Sequence, residues 1–439
     1  MSEARGARGQ TTIVAAGQAS TNAPRAAGDG GDAALQRAAA RLPELMRGGI
    51  LQLAEPPPLA LYVHLPWCLR KCPYCDFNSH AGQPDERGYL DALVADLDAA
   101  LPLVWGRRVL SVFIGGGTPS LFAPEAIDAL LAALRARLPL VGDAEITLEA
   151  NPGTFERERF AAYAAAGVNR LSLGVQSFDD TMLQRLGRVH DAAQARAALD
   201  EAARVFPTFN IDLMFALPGQ DLAQACADVR QALSWSPPHL SLYQLTIEAQ
   251  TAFAKREPAG LPDADAAADM QQAVAELAQT AGLQRYEVSA YARAGHGCRH
   301  NRNYWEFGDY LGIGAGAHSK LSFAHRIVRQ VRQQQPERYI AAARRGDAVA
   351  EEREVARAEL PFEFMLNALR LRDGFEPALY GARTGLPDST LQRGLRRGVE
   401  LGLLEADAQR IRATPRGWDL LNAAIELFLP ESGGEQHTR

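Results

Sequence analysis

Three of the chain's five cysteines fall in one run, "CLRKCPYCDF" at residues 68–77, with the spacing C-x3-C-x2-C. Thiolates are soft ligands that suit zinc or iron–sulfur clusters. A structural zinc ion wants four closed ligands, usually brought in C-x2-C pairs. A cubane cluster has four irons and ordinarily takes four thiolates. The run supplies three. Cys226 and Cys298 are remote in sequence, whereas His64 and His80 are near enough to complete a zinc site. Zinc and an iron–sulfur cluster with one open iron therefore both stand. Disulfides do not fit an odd, clustered set; a reducing compartment and metal or redox chemistry do.

Other residues with chemical potential sit at the ends of apolar runs. "GGGTP" (115–119) lets backbone approach a ligand unobstructed and offers N–H groups. Glu149 ends an apolar run in "LEANP" as a ribose or cation partner, or as a solvated or salt-bridged strand end. Gln176 follows an apolar run in "SLGVQSF", and Arg188 in "LGRVH" carries a long guanidinium suited to a carboxylate. Asp212 lies between Ile211 and Leu213, where a carboxylate needs a partner or costs free energy.

The scaffold that must hold these groups alternates strand and helix patterns. "LALYVHL" (59–65), "VLSVFIG" (109–115), "AEITLEA" (144–150), "NRLSLGV" (169–175), "FNIDLMFAL" (209–217), "HLSLYQLT" (239–246) and "RYEVSAYA" (285–292) read as strands. Between them lie helical stretches such as 124–138, with Pro124 at a first helical position, and 155–167, ending at Gly167. The alternation predicts βαβ units and a parallel sheet, hence an α/β protein with a partial (β/α)6-type barrel. The cysteine run directly follows the first strand, on the side where barrel enzymes place their chemistry. Beyond residue 320 the alternation is lost. A helix, a helix ending "GLLE" and then "RIRATPRGWDLL" predict a winged-helix-like α+β unit.

Four segments are expected: an extension and Pro-rich linker over 1–55, the barrel over 56–320, the C-terminal unit over 321–430 and a tail over 431–439. The first 50 residues lack the apolar core of a secretory signal; their arginines hint at a transit peptide, but Glu3, Asp29 and Asp32 favour a disordered extension. With 47 % hydrophobic and 22 % charged residues and a net charge of −6, the chain has ordinary globular composition and no broad electrostatic case for nucleic acid. No apolar run approaches the ~20 residues that span a bilayer, and a cytoplasmic protein is expected.

The C-x3-C-x2-C run after a first barrel strand resembles the radical S-adenosylmethionine (SAM) superfamily. "LYVHLPWCLRKCPYCDFNSH" is similar to the branch holding oxygen-independent coproporphyrinogen III oxidase and the HemW-type heme chaperones, a likeness that extends over about residues 59–430. The resemblance implies a 4Fe–4S cluster on Cys68, Cys72 and Cys75, with the open iron chelating the amino and carboxylate groups of SAM. Electron transfer from the reduced cluster can then cleave SAM to a 5′-deoxyadenosyl radical. Gly116, Gly117 and Thr118 match the strand that contacts the SAM amino group. Tyr62, Glu149, Gln176, Arg188 and Asp212 match further SAM contacts, and Tyr74 an aromatic near the adenine.

Two features divide the branch. The oxidase has a further cysteine two residues after the third; here that residue is Phe77. "CRHNRNYW" (298–305) resembles the chaperones' HNxxYW signature through His300, Asn301, Tyr304 and Trp305. An imidazole can ligate heme iron, aromatic rings can stack on a porphyrin, and Asn301 could orient the imidazole. A structural histidine beside a packed tryptophan is the plainer alternative. Cys298 is another candidate ligand, Cys226 reads as a buried helix residue, and His318 in "YLGIGAGAHSK" reads as structural or as a contact to cofactor or heme. The expectation is a chaperone that binds the cluster, SAM and heme and passes heme to an acceptor hemoprotein, with a membrane-associated acceptor the first candidate. A radical SAM oxidase that decarboxylates porphyrinogen propionates and a zinc-bound scaffold are the alternatives.

Overall fold

The structure, a computed structural model, describes residues 51–153 and 157–430 with scattered positions between 36 and 49. Its strands are β1 (Leu59–Leu65), β2 (Trp67–Cys68), β3 (His80–Ala81), β4 (Val109–Gly116), β5 (Leu140–Ala150), β6 (Arg170–Gln176) and β7 (Thr208–Phe215). They continue with β8 (His239–Gln244), β9 (Gln284–Arg285), β10 (Ala290–Ala292), β11 (Asp309–Ile313), β12 (His318–Phe323), β13 (Arg326–Arg332) and β14 (Val349–Glu354). Twelve of these form one sheet in the order β14-β13-β12-β11-β1-β4-β5-β6-β7-β8-β10-β9. From β11 to β8 every neighbouring pair is parallel. Antiparallel strands flank this block on both sides. The α/β class and the β/α units are as expected; the sheet is open, with β14 and β9 at its edges.

Helices Glu86–Ala100, Pro124–Arg137, Phe160–Ala166, Ala192–Val205 and Leu222–Leu233 make the crossovers. Their boundaries follow local chemistry. Asp191 with Gln194, and Asp221 with Gln224, form capping boxes that satisfy end N–H groups in both directions. Pro124 does open its helix, and Gly167 ends the helix before it with φ +110°, in the left-handed region. The strands then alternate. Leu171, Leu173 and Val175 of β6, Ile211 and Leu213 of β7, and Leu240 and Leu242 of β8 pack into the core under the helices. The residues between them point to the opposite face.

Three expectations change. "RYEVSAYA" is two short strands, β9 and β10, paired antiparallel across a turn at 286–289 rather than one strand. The sheet does not end at residue 320, because β12–β14 extend it to Glu354 by antiparallel pairing. Residues 51–55 are not all loose linker: Leu51 and Leu53 are buried in the C-terminal core, and Leu53 N–H donates to the Ala324 carbonyl at 2.9 Å. That core gathers Phe307, Phe364, Phe375, Tyr380 and Trp418. Around it stand helices Pro377–Thr384 and Gln392–Glu400 and the hairpin Leu404–Ala406 with Ile411–Ala413, the helix–helix–hairpin order expected of a winged-helix-like unit. Most of 1–50 and the tail 431–439 lie outside the described residues.

One buried ion pair ties the sheet margin to the first crossover helix. Arg332 and Asp96 are both nearly inaccessible and meet at 3.3 Å. Asp96 also accepts from Tyr339 OH at 2.9 Å and from the N–H of Gly314 at 3.3 Å, while Arg332 donates to Ser319 and Gln330. Removing one partner strands the other charge without water, which costs about 3–5 kcal/mol. Asp96→Ala should lose stability of that order in urea unfolding with an unchanged slope; a loss below about 1 kcal/mol would mean the pair is dispensable.

Candidate functional site

The cysteine loop leaves the C-terminal end of β1 and has almost no regular structure of its own. Other elements hold it. β2 pairs with β3, and the N–H of Thr118 donates to the Trp67 carbonyl at 2.7 Å. Arg70 donates to the carbonyls of Gly187 and Arg188, and the N–H of Phe253 to that of Pro73 at 3.0 Å. Held so, Cys68, Cys72 and Cys75 all line one cavity of about 380 Å³. Each thiol has a polar neighbour from outside the C-x3-C-x2-C run. Thr118 Oγ1 lies 3.5 Å from Cys68 Sγ, an Arg188 nitrogen 3.8 Å from Cys72 Sγ, and Ser79 Oγ 3.9 Å from Cys75 Sγ.

Among the described residues, no three His, Cys, Asp or Glu side chains converge as a cage for a single metal ion. Zinc would need its sulfurs together at about 2.3 Å from one point; in a cubane each sulfur binds a different iron, so the three stay apart. His64 and His80 do not line the cysteine cavity. His64 donates from Nε2 to the Asn78 carbonyl at 2.8 Å and accepts at Nδ1 from Tyr62 OH at 3.0 Å, so both nitrogens are occupied. Burial pushes the Cys68 and Cys75 thiols up, so they keep their protons until a metal displaces them.

The rest of the cavity wall comes from strand ends and strand faces. Tyr74, Gly116, Gly117, Thr118, Glu149, Gln176, Arg188, Asp212 and Asn301 all line it. The glycine segment differs from expectation in one respect. Its N–H groups are not free: Gly116 donates to Glu149 at 3.1 Å, Gly117 to the Leu65 carbonyl and Thr118 to the Trp67 carbonyl. What the glycines provide is close approach. A Cβ on Gly116, at φ +118°, would lie 2.6 Å from the His64 ring, and one on Gly117 would lie 2.4 Å from the Trp67 carbonyl oxygen. Gln176 sits at the end of β6 with φ +69°, a conformation that costs a non-glycine residue about 1–3 kcal/mol and is kept where the surroundings impose it.

Arg188 donates to Asn151 and to the Gly174 carbonyl, while its Nε is buried and has no partner. Asn151 donates in turn to Thr118 Oγ1 at 2.9 Å. A hydrogen-bonded chain therefore runs from Cys72 through Arg188, Asn151 and Thr118 to Cys68. Asp212 finds its partners within the protein, accepting from Asn210 Nδ2 at 2.8 Å and Ser172 Oγ at 3.1 Å. Arg170, Ser172, Asn210, His239, Ser241 and Tyr243 also face the cavity and were not singled out from sequence. Their signal is present: they alternate with the buried apolar residues on β6, β7 and β8.

A second cavity, of about 410 Å³, shares Phe77, Gly116 and Glu149 with the first and is lined by Tyr62, Tyr304, Tyr310 and His318 as well. The "HNRNYW" helix, Arg299–Trp305, divides its residues between places. Asn301 reaches the cysteine cavity and Tyr304 the second one. His300 reaches neither. It is 1 % exposed, its Nδ1 is 3.1 Å from Ser111 Oγ, and its ring packs on Phe113 and Tyr304 with centroids at 5.0 Å. Burial and the nearby Arg170 push its pKa down to about 3 and keep it neutral, and its Nε2 has no partner. Trp305 stacks under Arg370 of the C-terminal unit at 4.5 Å. Cys298 is buried against Glu145, its thiol pushed up to about 12, and Cys226 is a buried helix residue.

Burial, with the repulsion of Asp212 next, raises the Glu149 carboxyl from its usual 4.5 to about 7; the Gly116 N–H opposes the rise. The folded carboxyl thus holds its proton longer than the unfolded one, and stability falls as pH rises between those values. Because Glu149 faces a cavity open to solvent, the loss is about 1–3 kcal/mol, less than the full shift would give. Glu149→Gln has no proton to lose and still accepts from Gly116. Its melting temperature relative to wild type should rise from about pH 5 to about pH 8; a difference constant across that range would show that Glu149 is not desolvated.

Residues 62–231 match the family model of the radical SAM superfamily, and residues 355–420 match that of the HemN C-terminal domain. The heme chaperone HemW of Escherichia coli is 47 % identical over 379 residues, spanning 85 % of this chain and 99 % of that protein. HemW of Haemophilus influenzae is 46 % identical over 383 residues with the same coverage. The mitochondrial radical S-adenosyl methionine domain-containing protein 1 of Mus musculus is 37 % identical over 395 residues, 85 % of this chain and 87 % of that one. Among solved structures, coproporphyrinogen III oxidase (HemN) of Escherichia coli superposes with a TM-score of 0.74 at 24 % identity, over 89 % of this chain and 92 % of its own, which makes the fold a shared one. With near-complete coverage of relatives at this identity, the chain belongs to the HemW family.

Proposed function

We propose that this chain is a heme chaperone that holds a 4Fe–4S cluster and SAM and delivers heme to an acceptor hemoprotein. The observation that carries this reading is the cavity with three cysteine thiols at its wall and no fourth cysteine among its lining residues, with Phe77 in the fourth position and 62 % exposed. Cys68, Cys72 and Cys75 would hold the cluster, leaving one iron for the amino and carboxylate groups of SAM. When bound, the cluster supplies single electrons to SAM. The chain's own groups suit that ligand. Arg188 offers an unpartnered buried N–H toward a carboxylate, and the glycine segment brings backbone to the cavity wall with no side chain in the way. Gln176, Glu149 and Asp212 line the space left for the nucleoside, and Tyr74 adds an aromatic wall. The relatives named as heme chaperones, at 46–47 % identity, support heme as cargo rather than porphyrinogen as substrate. Among the described residues no helix is long and apolar enough to cross a membrane, so an acceptor within a membrane would be met at its surface.

Anaerobic reconstitution tests the cluster. Cys68→Ala, Cys72→Ala and Cys75→Ala should each lose most of the bound iron and the visible cluster absorbance, and cluster iron retained in all three would overturn the assignment. The same preparation, given reductant, SAM and coproporphyrinogen III, should show no sustained decarboxylation. It should bind hemin stoichiometrically in a Soret titration. Turnover of the porphyrinogen would instead make the protein an oxidase.

A further inference from the structure

The axial ligand of a bound heme must be a side chain that iron can reach. Among the described residues seven histidines hydrogen-bond through the ring. His64 and His239 use both nitrogens. His80, His190, His296 and His325 use one each, and none of the four lines either cavity beside the cysteine loop. His300 bonds Ser111 and is sealed behind Phe113 and Tyr62. The eighth, His318, carries no hydrogen bond on its ring, is exposed, and stands in the wall of the second cavity at the start of β12.

That cavity has the other features a planar iron porphyrin requires. Phe77, Tyr62, Tyr304 and Tyr310 supply aromatic surface, with Tyr304 and Tyr310 edge to face at 4.3 Å. Its volume falls within the range of cofactor pockets. Arg329 and Glu351, one charge of each sign, act on His318, and an ordinary imidazole is largely neutral and able to ligate at neutral pH. The wall carries the acids Asp76 and Glu149 and no Lys or Arg, so nothing within the cavity pairs with the porphyrin's carboxylates, which are left on its open, solvent side. We propose that the second cavity is the cargo site, taking an iron porphyrin with His318 as its axial ligand. The assignment rests on the heme-chaperone reading, and it gives Phe77, where the oxidase has a cysteine, a second use as the aromatic partition between cargo and cluster.

Hemin titration of the full chain, followed by absorbance and by electron paramagnetic resonance, tests it. His318→Ala should shift the Soret band and weaken binding by about tenfold or more, at least the loss typical when a mere supporting group is removed. His318→Cys should retain hemin with the altered spectrum of thiolate ligation, which shows that a variant at this exposed position still folds and that iron sits beside it. His300→Ala should keep the wild-type spectrum of the bound heme. A wild-type spectrum in His318→Ala, or its loss in His300→Ala alone, overturns the assignment while leaving heme as cargo. A wild-type protein that binds no hemin overturns the cargo reading itself, and this assignment with it.

Discussion

Three thiols can share one cluster only if the loop that carries them is held still, and that loop has no helix or long strand to stiffen it. Its order is borrowed. The turn after β4 meets it through the Thr118 N–H on the Trp67 carbonyl, the segment after β6 grips it through Arg70 and Arg188, and the 252–255 helix holds Pro73. On its far side Asn78 donates to the carbonyls of Ala315 and Gln334, both at 2.9 Å, tying the loop to the antiparallel margin. Each tether joins residues more than forty positions apart in the chain. The thiol geometry is therefore a property of the folded sheet, and a free loop of the same sequence would not preserve it.

The sheet can serve as that frame because its two faces carry different chemistry. Parallel strands are ordinarily apolar on both faces. Here the helix-covered face is apolar and the other carries Arg170, Ser172, Asn210, Asp212, His239 and Ser241, joined by hydrogen bonds such as His239 Nδ1 to Asn210 Oδ1 at 2.6 Å. A polar face of this kind is stable only if its groups satisfy one another or a ligand. Asp212 is satisfied from within; Arg170 Nε, 4.0 Å from Glu145, and Arg188 Nε are buried without a hydrogen bond. The two arginines add positive charge where acids also cluster, which suits a ligand with both an ammonium and a carboxylate.

Much of this was legible in the sequence because it depends on short-range pattern. Six of the seven strand runs, the position of the cysteines after β1, and the residues at strand ends follow from alternation and spacing. The polar residues midway along β6–β8 were harder, because parity tells which residues share a face but not which face is covered. Leu51 and Leu53 lay in a stretch whose composition reads as linker; their burial depends on a core assembled from residues beyond 300. The glycine N–H groups were misjudged for the same reason, since their acceptors lie on β1, β5 and the Trp67 turn. The second cavity forms between β1, β4 and a strand margin that sequence did not assign to the sheet at all.

The "HNRNYW" helix shows why a motif can identify a family without each residue being a ligand. Residues on a helix advance by about 100° each, so four positions within two turns can point four ways. Asn301 faces the cluster cavity, Tyr304 the second cavity, His300 the packed ring of Tyr62 and Phe113, and Trp305 the Arg370 of the C-terminal unit. The helix N-terminus is fixed as well, with the backbone N–H groups of Arg299 and His300 both donating to Glu145 at 3.1 Å. A change at any one of the four alters how two chambers and a separate core meet. Packing accounts for the histidine and the tryptophan, whose rings meet Phe113 and Arg370, while Asn301 and Tyr304 are set by the two cavities they line.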